Sequence, residues 1–159
     1  MKKIIIAAVS KNNIIGKEGK LPWHNKEELD HFKSTTSGFP VLMGRKTWDA
    51  LGKPLSNRLN LIISKSLKFA DSGSNVIVFR SINDAIDHCL LKHFEKLFII
   101  GGSEIFKQTI NIADEIILSK MNFEAEGDKY FVNLDPDDWL IHSNEKFKDF
   151  EVIHYLRKS

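Results

Sequence analysis

Cysteine is almost absent from this chain: Cys89 stands alone, so no internal disulfide can form, as expected in a reducing cytoplasm. Charge of one sign is missing as well. The 23 basic and 21 acidic side chains leave a net charge of +2, and the lysines are scattered, with no arginine-rich stripe and no aromatics set among basic residues. A nucleic-acid surface is therefore not expected. There is no apolar run of membrane length. Met1-Lys2-Lys3 followed by Ile4 to Val9 imitates the start of a secretory leader, but the run stops at Ser10-Lys11-Asn12-Asn13 and no small-residue cleavage pattern follows. The histidines lack His-Glu-x-x-His spacing, and His88 and His93, five apart, would face different ways on a helix. No metal site is expected.

What is present suits an ordinary globular protein. With 159 residues, 42% apolar and 28% charged, the chain can bury a core as one domain spanning 1–159. No repeat, low-complexity tract or linker suggests a second domain, and no surplus apolar face suggests more than a monomer.

Ile4 to Val9 reads as a central strand covered on both faces. Ser10 to His24, with Gly16 and Gly19, reads as a long loop of the kind that serves as a lid. A helix from Lys26 to about Thr35 follows, then a strand from Phe39 to Met43 ending at Gly44. Arg45 to Leu51 is a short helix stopped by Gly52 and Pro54. Leu59 to Ile63 is a strand, Ser66 to Ser74 a loop, Val76 to Phe79 a strand, and Ile82 to Leu91 a helix capped by Ser81. Leu97 to Ile100 is a strand, Ser103 to Ile110 a helix, and Ile116 to Leu118 a further strand. This alternation predicts right-handed crossovers and a mostly parallel sheet with flanking helices. After Ser119 an acidic loop leads to Tyr130-Phe131. Trp139 to Phe147 and Phe150 to Tyr155 then read as antiparallel strands joined by a tight Lys148-Asp149 turn. The expected class is α/β.

The stretch from Ile15 to Phe32 invites a functional reading. A glycine-bearing loop runs through Leu21-Pro22-Trp23 into an amphipathic helix on which Glu28 and Phe32 share a face. Glu28 has a plain structural role available: Asn25 is a good N-cap and Glu28 falls at the third helical position, as in a capping box. It is also an acid beside Leu29 on the apolar side of the helix.

In open α/β sheets ligands bind beyond the carboxyl ends of the strands. Gly44-Arg45-Lys46-Thr47 offers close backbone approach, a helix N-terminus, two cations and a hydroxyl, a combination that suits a phosphate. Gly101-Gly102-Ser103 repeats the strand–glycine–helix arrangement, and Ser64-Lys65 adds a hydroxyl and a cation. None of these is a G-x-G-x-x-G or a P-loop. Together they fit a ligand with a pyrophosphate and one further phosphate. With no acid at the strand ends to hold a free ribose hydroxyl, NADPH is preferred to NADH.

Here a family resemblance becomes specific. Ile15-Gly16, Leu21-Pro22-Trp23, Glu28-Leu29, Phe32, Val41 to Trp48, Leu51 to Leu55, Arg58-Leu59-Asn60, Ile100-Gly101-Gly102, Glu126-Gly127-Asp128 and Asp137-Asp138-Trp139 occur in the order seen in dihydrofolate reductases. The match covers nearly the whole chain, and the chain resembles the bacterial, chromosomal type. The resemblance implies the family's three-layer fold and NADPH-dependent reduction of 7,8-dihydrofolate to tetrahydrofolate, an antifolate-sensitive step of one-carbon metabolism.

It also implies roles. Glu28 would be the acid of the pterin pocket, too far from the accepting ring nitrogen to protonate it directly, with a water admitted beside Leu21 and Trp23. Ile6, Ala7, Ala8, Leu29, Phe32, Leu55 and Ile100 would line the substrate pocket, and Ser119 would support the acid. Arg58, with Lys53 nearby, would grip the glutamate tail. Ala8, Ile15, Gly16, Lys17, Glu18, Gly19, Lys20, Gly44, Arg45, Lys46, Thr47, Ile63, Ser64, Lys65, Arg80, Ile100, Gly101, Gly102, Ser103, Glu104, Ile105 and Phe106 would contact the cofactor, with a cis peptide at Gly101–Gly102. Residues 10 to 24 would be the mobile lid, steadied from Gly127-Asp128.

The chain departs from the family pattern in places. Leu21 replaces a frequent methionine, Ser103 a common third glycine, Phe106 a common tyrosine and Val132 a usual proline; Ser119 keeps a threonine's hydroxyl but loses its methyl. Two alternatives share the fold: a reductase of another pterin- or pyrimidine-like ring, and a non-catalytic nucleotide-binding relative. The pairing of Glu28 with Arg58 argues against the first, and the intact acid and cofactor glycines against the second.

Overall fold

The computed structural model describes residues 1–16, 21–67 and 75–159. Strand β1 (Lys2–Val9) is followed by β2 (Ile14–Gly16), helix α1 (Lys26–Thr36), β3 (Val41–Gly44) and α2 (Arg45–Leu51). Next come β4 (Asn60–Ile63), β5 (Val76–Phe79), α3 (Ile82–Leu91), β6 (Lys96–Gly101) and α4 (Ser103–Thr109). The chain then runs through β7 (Glu115–Met121), β8 (Lys129–Tyr130), β9 (Trp139–Lys146) and β10 (Phe150–Arg157).

Eight strands form one sheet in the order β5-β4-β3-β6-β1-β7-β10-β9. The pairs from β5 to β7 are parallel, while β10 runs antiparallel to both β7 and β9. The mostly parallel α/β sheet with an antiparallel C-terminal hairpin is therefore as the alternation of elements requires. Because side chains alternate across a strand, Ile4 and Ile6 pack on one face with Val41, Met43, Ile62 and Phe98. Phe32 of α1 and Trp48 of α2 cover that face. Ile5 and Val9 pack on the other with Leu42, Leu61, Ile99 and residues Ala85, Cys89 and Ile105 of α3 and α4.

The stretch read as one long loop from Ser10 to His24 is not all loop. Ile14–Gly16 pairs with β8 in a separate two-stranded ribbon. Three residues next to a polar turn carry too little periodicity to announce a strand; only the distant partner makes one. Around it, Lys11 N–H donates to Phe123 O at 2.7 Å, and Phe131 N–H donates to Asn13 O at 3.0 Å. Gly127 sits so close that a Cβ there would meet Gly16 O at 2.3 Å. Among the described residues no helix is long and apolar enough to cross a membrane.

Candidate active site

Helix α1 starts where its cap dictates: the Asn25 side chain accepts the Glu28 N–H at 2.9 Å. That is half of a capping box. The Glu28 carboxylate does not return the bond; it turns inward and is only 5% exposed. Burial pushes its carboxyl above the ordinary carboxylate range, opposed by the Ser119 hydroxyl, which favours the charged form. Among the described residues Ser119 Oγ on β7 is buried without a completed hydrogen bond, as is Trp23 Nε1 just ahead of α1. Trp23 meets Phe123 edge-on at 5.7 Å. Buried polar atoms are nearly always partnered, so this pocket is shaped to receive polar atoms from a ligand.

Beside the acid lies an apolar wall. Ile6, Phe32, Leu55 and Ile100 belong to one cluster. Above the Phe32 ring, at 5.9 Å, stands the Arg58 guanidinium. Its Nε donates to Ser56 O at 2.8 Å and its Nη1 to Thr36 Oγ1 at 3.0 Å. Arg58 is buried, yet it has no carboxylate partner among the described residues. A buried guanidinium without a counter-ion suits an anionic ligand. Two buried residues that sequence reasoning gave no role hold this group in place. Thr36 fixes one prong of Arg58, and Asn60 braces the turn before it by accepting Leu55 N–H at 2.9 Å and donating to Arg58 O at 3.0 Å. Asn60 stood in the Arg58-Leu59-Asn60 motif without a role, and Thr36 carried no signal, because the contact that gives it one is to Arg58, 22 positions later in the chain. Lys53 is exposed after Gly52 and does not line the cavity described next.

Along the carboxyl ends of β5, β4, β3, β6 and β1 runs a cavity of about 1170 Å³. Leu21, Leu29, Ala7 and Ala8 line one part of it, with Ile15 and Gly16 of the ribbon. Ile100, Gly102, Ser103, Glu104, Ile105 and Phe106 follow from β6 and α4. Gly44, Arg45, Lys46 and Thr47 come from the β3–α2 junction, and Ile63, Ser64, Lys65 and Arg80 from the ends of β4 and β5. Of the anticipated cofactor contacts, Lys17, Glu18, Gly19 and Lys20 lie outside the described residues, and Gly101 is buried and does not line the cavity. Ala50, Leu51 and Gln108 were not anticipated; they stand one turn after Lys46, Thr47 and Glu104, a spacing that places them on the same helical faces.

The cavity's chemistry is that of an anion site. Lys46, Lys65 and Arg80 have no ion-pair partner among the described residues, and Arg45 makes an exposed 3.4 Å pair with Asp49 and donates from Nη1 to Ser66 Oγ at 3.2 Å. Helices α2 and α4 begin at Gly44 and Gly102 with no side-chain cap, so their first N–H groups are available to a ligand. The Gly101–Gly102 peptide is cis, as anticipated. Gly101 has φ +123°, and a Cβ on it would press the Phe106 ring at 3.3 Å. Unpaired cations, free N–H groups and apolar patches together fit a phosphorylated dinucleotide.

The acid pocket and the cavity share a wall. Ser119 is the register partner of Ala8, and Leu29, next to Glu28, lines the cavity. Glu28, Ser119, Ile6, Phe32, Leu55, Arg58 and Trp23 lie off the cavity itself.

Comparison with known proteins agrees with this geometry. Residues 3–157 match the family model described as dihydrofolate reductase. The chain is 37% identical to the dihydrofolate reductase of Haemophilus influenzae over 151 residues, covering 95% of this chain and 91% of that protein. It is 34% identical to that of Bacillus subtilis over 161 residues, covering 97% and 94%. A solved dihydrofolate reductase from Enterococcus faecalis, complexed with NADP(H) and RAB-propyl, superposes with a TM-score of 0.88 at 26% identity, covering 99% of this chain and 97% of that one. The chain belongs to the dihydrofolate reductase family.

Proposed function

We propose that this chain, acting as one domain over residues 1–159 and as a cytoplasmic monomer, reduces 7,8-dihydrofolate to 5,6,7,8-tetrahydrofolate with NADPH. The observation that carries this is the shared wall: a buried acid held above its ordinary pKa abuts a cationic dinucleotide cleft through Ala8 and Leu29. Bound NADPH supplies the hydride.

The chain's own residues bind, orient and manage a proton. The Glu28 carboxylate is placed to accept paired hydrogen bonds from the amino group and ring N–H of a pterin, with Ser119 Oγ as a further partner. Its raised pKa favours a proton shared between acid and ring, which makes the ring a better hydride acceptor. Trp23 Nε1 and Leu21 stand at the entrance where a water would carry the proton onward. Ile6, Ala7, Ala8, Leu29, Phe32, Leu55 and Ile100 exclude bulk water from the flat ring, and Arg58, with Lys53 outside it, takes the glutamate carboxylate. The cofactor is held by Ile15, Gly16, Gly44 to Thr47, Ile63 to Lys65, Arg80 and Gly101 to Phe106.

The test is direct. Purified protein is mixed with NADPH, and cofactor absorbance is followed with and without dihydrofolate. A dihydrofolate-dependent loss of absorbance is expected, and no loss sinks the proposal.

A further inference from the structure

Among the described residues the cations of the cleft are unevenly distributed. Arg45, Lys46, Lys65 and Arg80 follow β3, β4 and β5, on one side of the sheet's centre. Among the described residues one further cation lines the cavity, away from these strand ends: Lys129, on β8, in register with Gly16 of the ribbon. Parallel strands lie about 4.8 Å apart, so β1 and β4, three places apart in the sheet, are separated by roughly 14 Å. A single phosphate cannot bridge both sets of charges.

Lys129 is anchored by its backbone and free at its side chain. On one side of it, Asp128 N–H donates to Gly16 O at 3.0 Å; on the other, Phe131 N–H donates to Asn13 O at 3.0 Å. Asn13 Nδ2 also donates to Phe131 O at 2.9 Å. The ammonium itself has no ion-pair partner among the described residues. A fixed Cα at the rim of a ligand cavity, carrying an uncompensated charge, is the arrangement expected of a ligand contact rather than of a structural ion pair.

We infer that Lys129 is a further cofactor-binding residue, whose ammonium takes the phosphate on the nicotinamide side of the pyrophosphate and so ties the β2–β8 ribbon to the bound dinucleotide. This rests on the reading of the cleft as an NADPH site. The adenosine half is served by the four cations on the other side. Lys129 therefore matters to the whole dinucleotide and not to its adenosine fragment.

Equilibrium titration tests this with two probes, NADPH and adenosine 2′,5′-bisphosphate, which lacks the nicotinamide-side phosphate. In Lys129→Gln the NADPH affinity is expected to fall about fivefold, with a shallower salt dependence, while bisphosphate affinity changes by less than about twofold. Lys129→Arg, which keeps the charge, is expected to restore NADPH binding to within about twofold. Unchanged NADPH affinity in the glutamine variant overturns the inference. Equal weakening of both probes, or an arginine variant no better than glutamine, also overturns it by pointing to a disturbed ribbon. A wild-type protein that binds neither probe removes the inference together with the reading of the cleft.

Discussion

The acid pocket and the dinucleotide cleft lie against each other yet are assembled from different materials. The pocket is built by burial: Glu28, Ser119 and Arg58 are each under a tenth exposed, drawn from α1, β7 and the turn before β4. The cleft is built by strand ends: its cations are exposed, its helix N-termini uncapped, and Lys46, Lys65, Arg80 and Lys129 stand without ion-pair partners among the described residues. Burial shifts the pKa of the Glu28 carboxyl upward and of the Arg58 guanidinium downward. A group that must hold or pass a proton near neutrality needs a low-dielectric setting. Groups proposed to hold phosphate can work from the surface.

If that division is right, the two regions should fail separately. The largest effect belongs to Glu28→Gln, which keeps the shape and removes the proton site. Steady-state turnover is expected to fall roughly 10²- to 10⁴-fold, with NADPH affinity in fluorescence titration changed by less than about twofold. Collapse of cofactor affinity instead would place Glu28 in the wrong region. Next in size is Arg58→Gln. Loss of a charged hydrogen bond in a buried setting raises KM for dihydrofolate about 10- to 100-fold, while KM for a pterin lacking the glutamate tail stays near its wild-type value. Equal loss on both substrates would mean that Arg58 acts only through Thr36 and the turn at Ser56.

The smallest effect lies outside both regions. His31 of α1 faces the C-terminal hairpin, 6.1 Å from the Phe147 ring, with Nε2 buried and without a hydrogen-bond partner among the described residues. Burial lowers its pKa, opposed by the Glu145 charge. With the folded value below the unfolded one, its contribution is present above the unfolded pKa. It is lost as pH falls through the interval down to the folded pKa. His31→Leu is expected to flatten this part of the pH–stability curve in thermal melts, without altering turnover at neutral pH. An unchanged curve would show that His31 does not titrate on unfolding.

The same contrast explains what could be read from the chain. The cavity lining was legible at the strand–Gly–helix junctions such as Gly44-Arg45 and Gly101-Gly102, because these are local, and local order sets where their N–H groups point. Ala50, Leu51 and Gln108 needed only one more helical turn of reasoning. The pocket was half legible: Asn25 and Glu28 gave the cap correctly, but whether the carboxylate turns back to the cap or inward depends on Ser119, 91 positions later in the chain. Thr36 and Asn60, which hold Arg58, and the short strand Ile14–Gly16, which exists only by pairing with β8, are set by tertiary neighbours alone. Lys129 belongs to this last group.

The central claim is that the acid and the cleft act on one ligand pair, with Glu28 governing the proton. Single-turnover hydride transfer from NADPH to dihydrofolate, recorded across pH for wild type and Glu28→Gln, tests it most directly. A carboxyl held above its ordinary pKa by burial keeps its proton at low pH and loses it as pH rises. The wild-type rate is therefore expected to fall as pH rises through that ionisation, and the Glu28→Gln rate to be low and flat over the same range. The same inflection in both proteins would contradict the account, because the titrating group would then not be Glu28.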